Sequence, residues 1–166
     1  ENVEDFVRPR DGQDQLPAEL GKPADPFRRY EVNVVVDNAE TKGAPVIVEE
    51  HPTYTNLVGR VEHLQQLGAL VTNFRLVKGG SLHRANGGYL VIDTRKLLSE
   101  PFAWEGLKRA LRAREIRIES PAEMRLLLST VTLEPGAVPL RVKVVLLAEP
   151  ELFHLLDRYD PDVRGL

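Results

Sequence analysis

SLHRANGGYLVIDTRKLL, residues 81–98, is the stretch from which the rest of the chain can be placed. Its paired glycines, Gly87 and Gly88, let the backbone turn tightly without a Cβ penalty. The YLVI run at 89–92 is apolar at every position and ends in Asp93. Such a run, unlike one that alternates, suits a strand buried on both faces of a parallel sheet. An acidic residue where that strand leaves the core lies at the sheet's carboxyl edge, where open α/β folds bind ligands. The next residue, Thr94, brings a hydroxyl and not a second carboxylate.

At 166 residues the chain suits one domain and is too short for two large ones. It is 42% hydrophobic and 28% charged, the balance of a water-soluble globular protein. No apolar run approaches the roughly 20 residues that cross a bilayer, and no secretion signal opens the sequence. The absence of cysteine excludes disulfides and thiolate metal sites and fits a cytosolic chain. A net charge of −3 argues against a nucleic-acid partner, which would ask for a basic footprint.

The opening ENVEDFV reads as the last turns of a helix begun elsewhere, and residues 11–25 have the Gly, Pro, Gln and Asp of a linker. The expected organisation is a helix end and linker over 1–26, then an α/β segment over 27–166. YEVNVVV (30–36) reads as a strand and PVIVE (45–49) as a second, with Pro45 where a missing N–H is tolerated. Residues 53–67 have helical spacing, with Leu57, Val61 and Leu64 on one face, Thr53 as N-cap and Gly68 as stop. Residues 69–77 fit a strand or an ordered loop.

Pro101 suits the first turn of a further helix, whose buried stripe is Trp104, Leu107 and Leu111. Lys108, Arg109 and Arg112 fall on its opposite face, as a solvated surface or as a contact for an anion or a neighbouring protomer. Residues 115–119 and 130–134 alternate polar with apolar, which predicts a two-stranded insert with one wet face. VKVVLL (142–147) is a second apolar strand with Glu149 just past its end, and 151–159 is a helix. Parallel strands joined by a helical crossover place Asp93 and Glu149 at one edge of one sheet.

His51, His63, His83 and His154 lack the spacing of a metal site. Ser81 and His83, two apart, would point to opposite sides of a strand, which argues against a local nucleophile–base pair.

A buried strand ending in Asp, a helix, a hairpin insert and a second strand with a polar tip resemble the second half of an AAA+ core. By that resemblance Asp93 stands where a Walker B aspartate holds a nucleotide's magnesium through water, and Glu149 stands at the sensor-1 position. Three segments closely resemble the AAA-like region of Lon-related bacterial proteases of the LonC/LonH type. They are HPTYTNLVGRVEH (51–63), GALVTNFRLVKGGSLHRANGGYLVIDTRKLL (68–98) and PFAWEGLKRALRAREIRIES (101–120).

The resemblance implies an α/β fold: a partial AAA+-like parallel sheet with flanking helices and a β-hairpin insert before the sensor-1 strand. It also implies a cytoplasmic, hexameric serine protease whose Ser–Lys dyad lies beyond Leu166, acting on unfolded polypeptide, with no nucleic-acid or membrane partner. No catalytic residue of that protease is expected within the chain.

Departures from the family pattern bear on the chemistry. No G-x-x-x-x-G-K-[ST] phosphate loop occurs in the chain. The family places it upstream, so ATP and magnesium would bind only with that half present. Thr94 replaces the glutamate that activates water, and loss of a general base costs about 10²–10⁴ in rate. Glu149 adds negative charge where a neutral donor is usual.

Arg164 falls at the place of an arginine finger, or is a surface arginine. Asp93 marks a magnesium site or caps the next helix. Phe74, in LVTNFRLVKGG, is a candidate for a loop that grips polypeptide, with Tyr54 and Leu57 as competitors and core burial as the alternative for all three. The expected function is ring assembly and substrate gating without catalysis. The alternative is the second half of a working ATPase.

Overall fold

A computed structural model of the chain describes residues 30–66, 69–119, 133–160 and 162. The chain divides into two compact units, Glu1–Asn33 and Val34–Leu166, and all the elements below belong to the second.

Its centre is a parallel sheet of three strands in the order β1-β6-β9: Val46–Glu49, Tyr89–Asp93 and Lys143–Leu147. The register pairs Val46 with Tyr89 and Tyr89 with Lys143 at one end, and Asp93 with Leu147 at the other. Gly87, at a φ of +85°, makes the turn that leads into β6. Register partners share a face, so Leu90, Ile92, Val144, Leu146 and Ile47 look one way. That face meets the core, where Leu90 and Ile92 are fully buried together with Leu57, Leu82, Leu97, Leu107 and Ile116.

The opposite face was expected to be buried too, and it is not. Val46 and Val48 are 62% and 63% exposed, and Tyr89, Val145 and Leu147 join them in one apolar surface. The unbroken apolar run in β6 is the sequence of a strand with two covers, and among the described residues only one is present.

Helix α1 (Tyr54–Val58) starts as expected, with Thr53 Oγ1 accepting from the Asn56 N–H at 3.2 Å. It ends at Gly59, well before residue 67, because Gly59 has a φ of +101°. A Cβ there would lie 2.6 Å from the Lys78 carbonyl oxygen. Glycine thus lets β2 (Gly59–Val61) run against β5 (Val77–Gly79) in an antiparallel pair. A small hairpin follows, β3 (Leu64–Gln66) with β4 (Ala69–Val71), then a 3₁₀ turn over Phe74–Leu76. Leu57, Val61 and Leu64 are therefore split between a helix and two strands.

Residues 31–36 form no ladder, although their β-branched run predicts a strand. Extended propensity alone does not make a strand without a partner edge.

Helix α2 (Ser81–Arg84) precedes β6, and α3 (Thr94–Ser99) follows it directly. Pro101 lies in a turn, and α4 (Ala103–Ala113) begins only after Phe102, which sits in the left-handed region at a φ of +62°. Leu107 is buried, with Trp104 and Leu111 packed against the core. Beyond α4, β7 (Glu115–Ile116) pairs antiparallel with β8 (Val138–Pro139), so the insert closes further along the chain than 130–134. Helix α5 (Pro150–Tyr159) leaves the tip of β9. The expected linker over 11–25, the stop at Gly68 and Arg164 lie outside the described residues.

Candidate functional site at the carboxyl edge of the sheet

Asp93 ends β6, and Glu149 stands two residues past the end of β9, the strand beside it. The parallel register therefore brings the tips of the two strands together at one edge. The chemistry at that edge is set by the start of α3. Asp93 Oδ1 accepts from the Lys96 N–H at 3.0 Å and is the N-cap of the helix. Arg95 Nη2 donates to Glu149 Oε1 at 2.9 Å. Lys96 Nζ donates to the Glu50 carbonyl at 3.2 Å, which ties the end of β1 to the same corner.

Thr94 is wholly buried, and among the described residues its Oγ1 has no hydrogen-bond partner. Its side chain points into the packing beneath α3 and not out over the edge.

These residues do not fit a magnesium nucleotide by themselves. One oxygen of Asp93 is spent on a helix cap, Glu149 is matched to Arg95, and the position that would activate water is inside the core. Among the described residues, no three His, Asp or Glu side chains come together so as to hold a metal ion.

The polypeptide-loop candidates separate. Tyr54 and Leu57 are core residues, 5% and 0% exposed, so the burial alternative holds for both. Tyr54 packs its ring against Gly106, and burial pushes its hydroxyl above the usual range. Phe74 is half-buried in its 3₁₀ turn, which Asn73 caps by accepting from the Arg75 N–H at 2.9 Å. The exposed apolar pair of this region is Leu64 and Val71, directly opposite one another on β3 and β4. The misread helix over 53–67 hid that pair.

Ser81 and His83 lie on helix α2 and not on a strand. Ser81 Oγ donates to the Asn56 carbonyl at 3.2 Å, and His83 Nδ1 accepts from the Gly80 N–H at 3.3 Å. Burial holds His83 below the usual imidazole value, so each has a structural partner and they do not act on one another.

Lys108 overturns the reading of α4's basic face. It is buried, with Nζ 2.8 Å from Asp160 Oδ2, 2.8 Å from Glu105 Oε1 and 3.5 Å from Asp162 Oδ2. Trp104 Nε1 donates to the same Asp160 oxygen at 2.7 Å. Arg112 pairs with Asp162 and Arg109 with Glu119. The signal available in the sequence was Trp104 and Lys108 four apart, one helical turn, with acidic residues waiting past the final helix.

Comparison with known proteins agrees with the architecture. A family model described as "LonB-like, AAA domain" matches residues 42–166. The chain is also 32% identical over 84 residues to a protein of Escherichia coli (strain K12) named "Putative Lon protease homolog". That alignment covers 51% of this chain and 14% of the relative, so the chain spans a small part of the relative's length. The Lon-related resemblance stands, under a LonB-like description where the sequence motifs suggested the LonC/LonH type. With its parallel sheet and paired strand tips, and with the match running to its last residue, the chain belongs to the LonB-like AAA domain family.

Proposed function

We propose that this chain is a non-hydrolysing AAA-like module of a Lon-like serine protease, contributing ring assembly and substrate gating. The observation that carries the reading is Thr94. In place of an exposed carboxylate beside Asp93 the chain has a buried hydroxyl, which removes the base that would activate water. Asp93 and Glu149, engaged by Lys96 and Arg95, support the same view of a degenerate Walker B site.

Assembly is supported by the apolar face of the sheet that no described residue covers, since parallel sheets are rarely stable with one face in water. Contact with unfolded polypeptide is supported by Leu64 and Val71 on the β3–β4 hairpin, with Phe74 beside it in sequence. In this reading the parent protein is a cytoplasmic hexamer, its Ser–Lys dyad lies outside residues 1–166, and neither nucleic acid nor membrane is a partner. Among the described residues no helix is long and apolar enough to cross a membrane.

The second reading, half of a working motor, draws on the side-by-side tips of β6 and β9. In that case ATP and magnesium are held by the upstream half and reach Asp93, Glu149 and Arg164. Calorimetry with ATP on the full-length protein, followed by casein hydrolysis with and without ATP, tests the proposal. Casein cleavage at the same rate in both conditions supports the gating module. Cleavage that depends on ATP hydrolysis refutes it.

A further inference from the structure

Helix α5 is weakly seated for a ten-residue helix. None of its residues is buried, and Phe153, Leu155 and Tyr159 are 54%, 53% and 73% exposed. At its start, Glu149 meets Arg95 through side chains 67% and 71% exposed, a kind of ion pair that contributes little. Its far end is built differently. Asp160 Oδ2 takes hydrogen bonds from both Trp104 Nε1 and Lys108 Nζ, while Oδ1 takes one from the Asp162 N–H at 3.1 Å. The Lys108 ammonium also lies 5.3 Å from the centre of the Trp104 ring.

We propose that Lys108, Trp104 and Asp160 form a latch that sets whether the carboxyl end of α5 is held at α4 or swings away from it. This inference is independent of whether the module hydrolyses ATP.

Two features make the device a switch and not merely a bond. A buried ion pair that loses one partner leaves an uncompensated charge, so the docked state is held sharply at this point. Lys108 also keeps a second carboxylate, Glu105, three residues back on its own helix. When Asp160 departs, Lys108 opens to water with Glu105 still beside it, and the undocked state is not prohibitive. Among the described residues the apolar side chains along α5 bring no fully buried contact to oppose the release. Because Glu149 is the N-cap of α5, release of the helix would also move the residue that Arg95 holds at the carboxyl edge.

Hydrogen exchange by mass spectrometry on the full-length protein tests the latch. In Asp160→Asn, amides of residues 151–159 should exchange about tenfold faster or more, while those of β6 change by less than about twofold. Lys108→Met should act in the same direction. Arg95→Ala, which breaks only the exposed pair, should leave α5 within about twofold of the native rate. The paired replacement Lys108→Met with Asp160→Leu should recover most of the protection, since apolar side chains can take over a buried ion pair's packing.

The proposal is overturned if α5 exchanges at its native rate in both single variants. It is equally overturned if α5 and β6 accelerate together, which is a global loss of stability, or if Arg95→Ala matches Asp160→Asn. Should either single variant fail to fold, Trp104→Phe removes one hydrogen bond from Asp160 and is judged by the same comparison.

Discussion

Replacing Thr94 by valine isolates the residue on which the functional reading turns. Thr94 is fully buried, and its hydroxyl makes no hydrogen bond among the described residues. A buried hydroxyl without a partner carries a desolvation penalty of about 1–3 kcal/mol. Valine fills nearly the same volume, so no cavity opens, and the two residues have similar helix propensities. The variant should therefore be more stable by about 1 kcal/mol or more. Native-state hydrogen exchange on the full-length protein reads this directly, because the slowest amides of α3 and β6 should exchange about fivefold more slowly.

Thr94→Ser keeps the hydroxyl and loses a buried methyl, so it should lose about 1 kcal/mol. Thr94→Glu, which restores the residue type of a hydrolysing site, forces a carboxylate into a position with no solvent. It should cost several kcal/mol or prevent folding. A clear loss of protection in Thr94→Val would refute the reasoning, because the hydroxyl would then be engaged by a partner.

Asp93→Ala removes the N-cap of α3 and should cost about 1 kcal/mol, seen as faster exchange at Lys96 and its neighbours; Asp93→Asn, which still caps, should cost little. Gly106→Ala gains about 1 kcal/mol of helix propensity, but its Cβ would sit 2.6 Å from two atoms of the Tyr54 ring. Overpacking should win by about 1–3 kcal/mol, measured as a lower melting temperature. The hydrogen bond from Lys108 holds Asp160 below the usual carboxylate value, against the opposing effect of burial and with help from Trp104. Its contribution to stability is therefore complete above the unfolded value of about 3.9 and disappears as pH falls through the lower folded value. Asp160→Asn should flatten the fall in melting temperature below about pH 4. At the alkaline end, burial disfavours the Lys108 charge, yet its bonds to Asp160 and Glu105 outweigh that and raise it. Its contribution is present below about pH 10.4 and is lost as pH rises through the higher folded value.

The central sheet was legible because its signals are local and redundant. An apolar run with an acid at its end specifies β6 in a few residues, and the crossover rule then places β9 beside it in parallel. Thr53 as a cap is equally local, since its side chain reaches only to Asn56. What sequence spacing missed depends on contacts distant along the chain. Leu57, Val61 and Leu64 keep helical spacing, but the approach of Lys78 to Gly59 is what ends the helix, and position 78 gives no sign of it.

Charge pattern placed Lys108 on the wet face of α4, while Asp160, 52 residues later, draws it inside. The same limit applies at the candidate site. The exchange of a carboxylate for Thr94 was visible in the letters, but its burial was not, because the unbroken apolar run gave β6 two covered faces; Thr94 continues the alternation that puts Leu90 and Ile92 on the one core face. For Tyr54 and Leu57 the sequence favours the core over a polypeptide loop, and α1 buries both.

The most direct measurement is steady-state phosphate release from ATP by the purified full-length protein, with Asp93→Asn as its control. The account predicts no release above that of the control and casein cleavage unaffected by ATP. ATP turnover that disappears in Asp93→Asn would contradict it, since Asp93 would then be serving a working nucleotide site.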